Sequence, residues 1–128
     1  MASLRARLVD LILPLLGSKA RLASAEGLKQ SLATHTPQPV GPSTHTHLQF
    51  KVTERMTAGM HVYKVAPKIG AGSASVLYLH GGAFVHELTR WHWRLIESLV
   101  KRTGATVHVP SYPLAPSNTW ALAGSMLR

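Results

Sequence analysis

The sequence predicts an α/β domain, and three stretches of the chain carry that prediction. Residues 75–79 are a short apolar run bounded by small residues, which is typical of a buried strand. Residues 90–103 place apolar side chains at three- and four-residue spacing, as an amphipathic helix does. Residues 105–109 form a second apolar run rich in β-branched side chains. Strand, helix and strand in this order predict a right-handed parallel unit.

The residues before this unit alternate between apolar and polar side chains. Leu48, Phe50 and Val52 are predicted to lie on one face of a strand, because alternate residues of a strand point the same way. A second alternating run covers residues 61–65, after a turn signal at residues 56–59. The pattern predicts a β-hairpin.

The predicted helix has recognisable ends. Thr89 is a suitable N-cap residue, and Gly104 is the residue type expected just past a helix C-terminus. The predicted buried stripe is Trp91 or His92, followed by Leu95, Ile96, Leu99 and Val100. Pro110 is predicted to stop the second strand, and residues 118–128 to begin another helix.

The 128 residues are predicted to form one domain at most, in three parts. Residues 1–33 are predicted to be helical, residues 34–47 are a linker rich in proline and histidine, and residues 48–128 form the α/β part. The first part is open to three interpretations: a secretory signal, a mitochondrial transit peptide, or a pair of amphipathic helices. Its apolar run is shorter than the roughly 20 residues that a transmembrane span requires.

The amino-acid composition limits the functions that the protein can have. Hydrophobic residues make up 45% of the sequence, which predicts a globular protein. Cysteine is absent, which excludes disulfides and thiolate chemistry. The net charge of +9 invites a nucleic-acid or membrane partner, but the cations are spread without a cluster or interleaved aromatics. We therefore predict a solvated basic surface and no nucleic-acid partner.

The stretch that carries chemistry is His80-Gly81-Gly82-Ala83-Phe84, directly after the first predicted strand. Two adjacent glycines allow a sharp turn and leave backbone N–H groups uncovered. Such donors at the end of a buried strand suit an anion. Reactions that build negative charge on an oxygen need donors of this kind in place beforehand.

These residues resemble the His-Gly-Gly-Gly motif of α/β-hydrolase lipases and esterases, in particular the hormone-sensitive-lipase-like branch known as α/β-hydrolase fold-3. Residues 105–116 strengthen the resemblance, since they end in the Tyr-x-Leu-Ala-Pro corner of that family. The resemblance implies the N-terminal part of an α/β-hydrolase sheet, with a hairpin followed by a parallel strand-helix-strand unit. It also implies that the helices of residues 1–33 are part of a cap.

The resemblance assigns roles to single residues. The backbone N–H groups of Gly81, Gly82 and Ala83 are implied to form the oxyanion hole, with Ala83 where the family usually has a third glycine. His80 is implied to shape the loop and not to act as the catalytic base. Phe84 is a candidate for the substrate pocket.

The sequence departs from the family in its catalytic residues. It contains no Gly-x-Ser-x-Gly nucleophile elbow, and the acid and histidine of the triad follow that elbow in the family. Ser111 and Ser117 stand where the family often has acidic residues. We therefore expect an N-terminal portion of a serine esterase or lipase that is inactive alone and poorly soluble. The acid, the histidine and most of the pocket lining are expected outside it.

Two other functions stay open: a non-catalytic module that pairs with a full-length hydrolase through an open strand edge, and a basic binder of nucleic acid or membrane. The expected ligand of a completed site is a small-molecule ester. We expect no cofactor and no metal, because His35, His45 and His47 lack nearby Cys, Asp or Glu partners. The sequence favours a cytoplasmic location and leaves a mitochondrial one open.

Overall fold

The structure is a computed structural model, and it describes residues 24, 26–27, 29–30 and 39–127. The chain separates into two compact units, Met1–Thr36 and Pro37–Arg128. In the first unit the described residues after Ser24 are helical, and the Gly27 amide donates a hydrogen bond to Ser24 Oγ (3.0 Å). Most of the predicted helical part, residues 1–33, lies outside the described residues, and its cap or targeting role stays a prediction.

The second unit contains a mixed four-stranded sheet with helices. In chain order its elements are α1 (Thr44–Gln49), β1 (Phe50–Thr57), β2 (Met60–Pro67), β3 (Ser75–Leu77), α2 (Arg90–Thr103), β4 (Thr106–Ser111) and α3 (Trp120–Met126). The sheet order is β1-β2-β4-β3. β1 and β2 pair antiparallel, β2 and β4 pair antiparallel, and β3 and β4 pair parallel. The predicted hairpin and the predicted parallel strand-helix-strand unit are confirmed.

The hairpin turn explains why the two strands pair in this register. Ala58 and Gly59 occupy the turn with φ values of 50° and 79°. Positive φ at both central residues is the geometry of the two-residue hairpin turns that match the twist of paired strands. Phe50 thereby lies opposite Pro67, and Val52 opposite Val65.

The chain before the hairpin differs from the prediction. Residues 44–47 were assigned to the linker and Leu48 to a buried strand face, whereas Thr44–Gln49 form a short helix on which Leu48 is exposed. Ser43 caps this helix: its Oγ accepts from the Thr46 amide (3.2 Å), and its own amide donates to Thr46 Oγ1 (3.2 Å). The capping pair was missed because threonine replaces the usual Glu or Gln at the third helical position.

β4 is longer than predicted, since it continues through Pro110 to Ser111. Alternate residues of a strand direct their backbone groups to opposite sides. His108 bonds towards β3, where its carbonyl accepts from the Tyr78 amide (2.8 Å), so Pro110 also faces that side. β3 has already ended at Leu77. The missing N–H of Pro110 therefore costs no ladder bond.

The hydrophobic core lies between one face of the sheet and α2. Its buried members are Phe50, Val65, Leu88, Trp93, Ile96, Val100, Val107 and Val109. The predicted bounds of α2, its Thr89 N-cap position and the left-handed Gly104 after its end are confirmed. The predicted stripe was partly wrong, because Trp93 is buried while Trp91 and Leu95 are exposed. The true stripe runs at i, i+3 and i+7 through Trp93, Ile96 and Val100.

Candidate active site

The loop after β3 turns sharply between residues 80 and 86. Gly82, Ala83 and Phe84 have φ values of 138°, 54° and 61°. The carbonyl of Gly82 accepts hydrogen bonds from the amides of Val85 and His86, each at 3.0 Å. These bonds close the loop on itself.

Glycine is required at one of the two positions of the pair. A Cβ on Gly82 would lie 2.7 Å from the carbonyl oxygen of His86 and 2.9 Å from its Cβ. A Cβ on Gly81 would meet nothing within 4 Å. Gly82 therefore permits the close return of the chain at His86, whereas Gly81 borders open space.

The amides of Gly81, Gly82 and Ala83 have no hydrogen-bond acceptor among the described residues. None of these three residues is buried. Three consecutive donors that neither a strand nor a helix uses form a region of positive partial charge. Ala83 adopts a left-handed φ, which costs a residue with a Cβ about 1–2 kcal/mol of conformational energy.

His80 lies beneath the loop and is almost fully buried, with 3% of its surface exposed. Its Nδ1 donates to the carbonyl of Gly81 (3.0 Å), because a carbonyl can only accept. Its ring stacks on Tyr112 with the ring centroids 4.5 Å apart. His80 thus connects the first turn of the loop to the strand-end corner that follows β4.

Tyr112 holds the loop from the other side. Its hydroxyl donates to the carbonyl of His80. The two residues are 32 positions apart in sequence. No local pattern could have shown this bond, which exists only because β3 and β4 are neighbours in the sheet.

Phe84 is fixed by the same corner. Its carbonyl accepts from the amide of Ala115 (3.0 Å), and its ring lies 6.1 Å from that of Tyr112, nearly parallel to it. The side chain is half-buried. Its assignment to a substrate pocket stays a prediction.

A second histidine stands behind His80. The ring of His92, at the start of α2, lies 5.6 Å from the ring of His80. Its Nδ1 accepts from the Thr89 amide (3.0 Å), so His92 has a partner that the sequence did not reveal. The sequence signal for this contact is a capping box, Thr89 followed three residues later by His92, in which histidine replaces the usual Glu or Gln.

Burial shifts the pKa values of three side chains around the loop. Burial lowers the pKa of His80, and its bond to the Gly81 carbonyl opposes that shift. Burial also lowers the pKa of His92, and the nearby charge of His80 lowers it further. Burial raises the pKa of Glu87, against the effect of the Leu88 backbone. Among the described residues, His80 Nε2 and Glu87 Oε2 are buried without a hydrogen-bond partner.

A nucleophile and a metal centre were also sought in the part of the chain that the structure describes. No serine hydroxyl there hydrogen-bonds a histidine ring. No group of three His, Asp or Glu side chains there could hold a metal ion. None of the helices described is long and apolar enough to cross a membrane.

Comparison with known proteins relates the segment that contains the loop to one fold family. A sequence model of the α/β-hydrolase fold family matches residues 76–124, from β3 into α3. Residues 76–124 are therefore similar to the α/β-hydrolase fold family. A triacylglycerol lipase of Mycobacterium tuberculosis (strain ATCC 25618 / H37Rv) is 41% identical over 56 residues, which make up 44% of this chain and 13% of the lipase.

Solved structures match a larger part of the chain. EstE7, a homologue of hormone-sensitive lipase from a metagenome library, is 28% identical with a TM-score of 0.54. The match covers 66% of this chain and 28% of EstE7. An esterase of the bacterial hormone-sensitive lipase family has a TM-score of 0.58 at 16% identity, over 98% of this chain and 41% of the esterase. This second match shows the fold alone.

The chain spans 13% of the length of the lipase that it matches and 28% of EstE7. The family resemblance and the α/β-hydrolase fold predicted from the sequence are confirmed. The activity of a whole hydrolase is a proposal for this chain, and so are its substrate and partners.

Proposed function

We propose that this chain carries the oxyanion-hole portion of a carboxylic-ester hydrolase of the hormone-sensitive-lipase-like kind. One observation carries the proposal: the three consecutive amides of Gly81, Gly82 and Ala83 lack acceptors among the described residues, at the end of a strand in an α/β-hydrolase sheet. The loop that presents them is held by the Gly82 turn, by Tyr112 and by Ala115.

The chemistry follows from the charge that ester cleavage creates. When a hydroxyl attacks an ester carbonyl, the carbonyl oxygen becomes an alkoxide. Amides that already point at that oxygen stabilise it without reorganisation, and each is worth about 3–4 kcal/mol of barrier. In our proposal the three amides donate to the alkoxide and His80 holds the loop from beneath. Phe84 lines the acyl or alcohol side of the pocket.

In our proposal the attacking hydroxyl does not come from these residues. The printed sequence has no Gly-x-Ser-x-Gly elbow, so the nucleophile, its histidine and its acid are proposed to come from residues outside these 128. The chain alone is then inactive. Its substrate, once the site is completed, is a small-molecule ester.

A loop graft tests the proposal. Residues 78–88 of this chain would replace the equivalent loop of EstE7, and hydrolysis of p-nitrophenyl butyrate would be measured. We expect the chimera to keep activity within about tenfold of EstE7. Adding Gly82→Ala should lower kcat by about 10²–10³-fold, because its Cβ would lie 2.7 Å from the His86 carbonyl oxygen and force the loop amides away from the oxyanion.

Two results would count against this assignment. One is a folded chimera, verified by circular dichroism, with no turnover above a version that lacks the EstE7 nucleophile. The other concerns the chain itself: purified and assayed alone, it should give only the background rate. Turnover that a serine-reactive phosphonate abolishes would place a nucleophile within these residues.

A second candidate is a non-catalytic module that pairs with a hydrolase. The observation in its favour is the outer edge of β3, which has no partner strand among the described residues. Leu77 and Leu79 stand there 57% and 51% exposed. Strand addition would satisfy such an edge. Co-purification with a full-length hydrolase, lost on Leu77→Pro, would favour this candidate.

A further inference from the structure

Helix α2 has a side that is turned away from the sheet. An α-helix has 3.6 residues per turn, so the side opposite the buried stripe carries Trp91, Leu95, Ser98 and Arg102. We call these four residues the outer face of α2, and all of them are exposed. A domain is built of packed layers, and this face is the outside of the helix layer that packs on the sheet. Its exposure therefore follows from the way α2 packs.

Two large apolar side chains stand on the outer face. Trp91 is 59% exposed and Leu95 is 50% exposed. Residues four apart on a helix are neighbours, so these two side chains lie side by side. Trp91 is the second residue of α2, and the apolar pair therefore begins at the end of the helix that follows the site loop.

The charges around this pair are all positive. Arg90, Arg94 and Lys101 form a row beside it, and Arg102 adds a cation on the outer face itself. All four are exposed. The acidic residue of α2, Glu97, is turned towards α1, where its side chain is 19% exposed and accepts a hydrogen bond. Cations without a carboxylate between them give this side of the helix a positive potential that attracts anions.

Two of the cations are held against the tryptophan. The Cζ atoms of Arg90 and Arg94 lie 5.1 Å and 4.8 Å from the centroid of the Trp91 ring. Cation–π attraction keeps the three side chains together. A guanidinium binds a phosphate through two parallel N–H bonds, and an indole ring is at home between lipid headgroups and acyl chains. The cluster therefore places a group suited to lipid phosphate beside one suited to the acyl boundary.

A nucleic acid would use this surface less completely than a membrane does. Bases bind by stacking on aromatic faces, and Trp91 is the one aromatic residue of the outer face, with two guanidinium groups already over its ring. Leu95 offers a base neither a hydrogen bond nor a stacking surface. A helix with cations along one side and tryptophan and leucine along the next is typical of helices that lie in a membrane interface.

We propose that the outer face of α2, together with the row of Arg90, Arg94 and Lys101, binds the surface of a membrane that contains anionic lipids. The cations contact headgroup phosphates, and Trp91 and Leu95 insert to the depth of the first acyl carbons. The helix lies along the surface and does not cross the membrane. The proposal does not depend on the oxyanion-hole assignment, since its residues lie outside the site loop and binding is measured without turnover.

Vesicle flotation tests the proposal with the full chain. The vesicles are made of phosphatidylcholine alone or of phosphatidylcholine with about 30% phosphatidylserine, and flotation separates bound chain from aggregated chain. We expect at least tenfold tighter binding to the vesicles that contain phosphatidylserine. That binding should weaken between 50 and 200 mM salt, because salt screens exposed charges.

Two charge-matched variants locate the surface. The double variant Arg90→Gln, Arg94→Gln should weaken binding to the phosphatidylserine vesicles at least tenfold. The double variant Lys51→Gln, Arg55→Gln removes the same charge from exposed positions of β1 and should change binding less than threefold. All four side chains are exposed, so both variants should fold, which circular dichroism checks.

The apolar pair is tested by insertion depth. The double variant Trp91→Ala, Leu95→Ala keeps the net charge and should weaken binding at least fivefold. Phosphatidylcholine that is spin-labelled at acyl carbon 5 should quench the tryptophan emission of the bound wild-type chain. Trp91→Phe keeps an aromatic ring for insertion and should lose most of that quenching.

Four outcomes would overturn the proposal. The wild-type chain does not float with the phosphatidylserine vesicles, or both charge variants weaken binding equally, which would indicate attraction to net charge alone. The third is quenching that persists in Trp91→Phe, which would place another part of the chain in the bilayer. The fourth is a duplex DNA that binds more tightly than the vesicles and loses its binding in Arg90→Gln, Arg94→Gln.

Discussion

At the scale of single residues, the site loop is defined by its backbone angles. Gly82, Ala83 and Phe84 follow one another in the left-handed region, and two of them carry a Cβ. Such residues cost about 1–3 kcal/mol each and persist only where their surroundings hold them. Here the bonds to the carbonyls of Gly82 and Phe84 do so. Strained residues cluster at functional sites, which agrees with the role proposed for the loop.

The two glycines of the loop are predicted to differ when replaced by alanine. Gly82→Ala should lower the free energy of unfolding by about 2 kcal/mol or more, because its Cβ would lie 2.7 Å from a backbone oxygen at a φ of 138°. Gly81→Ala is the matched control and should cost less than about 1 kcal/mol, since its Cβ meets open space. Urea denaturation followed by circular dichroism measures both. Equal losses would contradict the loop geometry.

His80 and His92 predict how stability depends on pH. Their pKa values in the folded chain lie below the ordinary value of 6.5, mainly because of burial. The folded state therefore favours the neutral rings. This contribution is complete above pH 6.5 and is lost as pH falls towards the folded pKa values.

We expect the free energy of unfolding to fall between pH 7.5 and pH 5.5, and the fall to be smaller in the double variant His80→Asn, His92→Gln. Denaturation curves at several pH values measure it. Glu87 acts with the opposite sign at lower pH, because its raised pKa favours the protonated folded form. An unchanged pH slope in the double variant would refute the assignment to these two rings.

At the scale of elements, α2 connects the core to the site. Its first turn carries His92 behind His80, and its buried stripe covers the sheet. Trp93 is the largest residue of that stripe. Its indole N–H donates to the carbonyl of Val40, and its ring meets Tyr63 edge-on at 5.3 Å. The helix thereby fastens the segment before α1 to the sheet.

The two tryptophans of α2 are predicted to respond differently to substitution. Trp93→Ala should lower the free energy of unfolding by about 3–5 kcal/mol, because the side chain is 3% exposed and its removal leaves a cavity. Trp91→Ala should lower the free energy of unfolding by less than about 1 kcal/mol, since Trp91 is 59% exposed. The guanidinium groups of Arg90 and Arg94 lie over its ring. Thermal and urea unfolding compare the two variants. A larger loss at Trp91 would reverse the assignment of the buried face.

At the scale of the whole molecule, the two edges of the described sheet are unlike. β1 carries Lys51, Glu54 and Arg55, and charged side chains discourage pairing with another chain. β3 carries no charge and exposes Leu77 at its edge. An apolar edge of this kind invites pairing with another strand, which is the physical basis for the expected poor solubility.

Self-association is predicted to depend on the β3 edge. Leu77→Lys should raise the monomer fraction of the purified chain at 50 µM in sedimentation velocity, because a charge at an edge opposes strand addition. Leu95→Lys is the control, since Leu95 is 50% exposed on α2 and should leave association unchanged. A wild-type chain that is monomeric with a sharp cooperative melt would show that the edge does not drive association.

Local sequence was enough to determine the α/β class, the hairpin, the bounds of α2 and the position of the glycine loop. The reason is that periodicity, caps and paired glycines act within a few residues of each other. The same local signals failed at Ser43 and at Trp93. At Ser43 the capping partner is a threonine instead of the usual Glu or Gln. At Trp93 the 3.6-residue period of the helix was compatible with more than one buried face.

Only the tertiary structure decided what surrounds the loop and which side chains share a face of the sheet. The Tyr112 hydroxyl meets His80 across 32 residues, and the Ala115 amide meets Phe84 across 31, because parallel pairing of β3 and β4 brings their ends together. Strand pairing likewise places Lys51, Arg55 and Lys64 on one face, although they come from two strands. Such contacts depend on strand order, which no stretch of sequence encodes by itself.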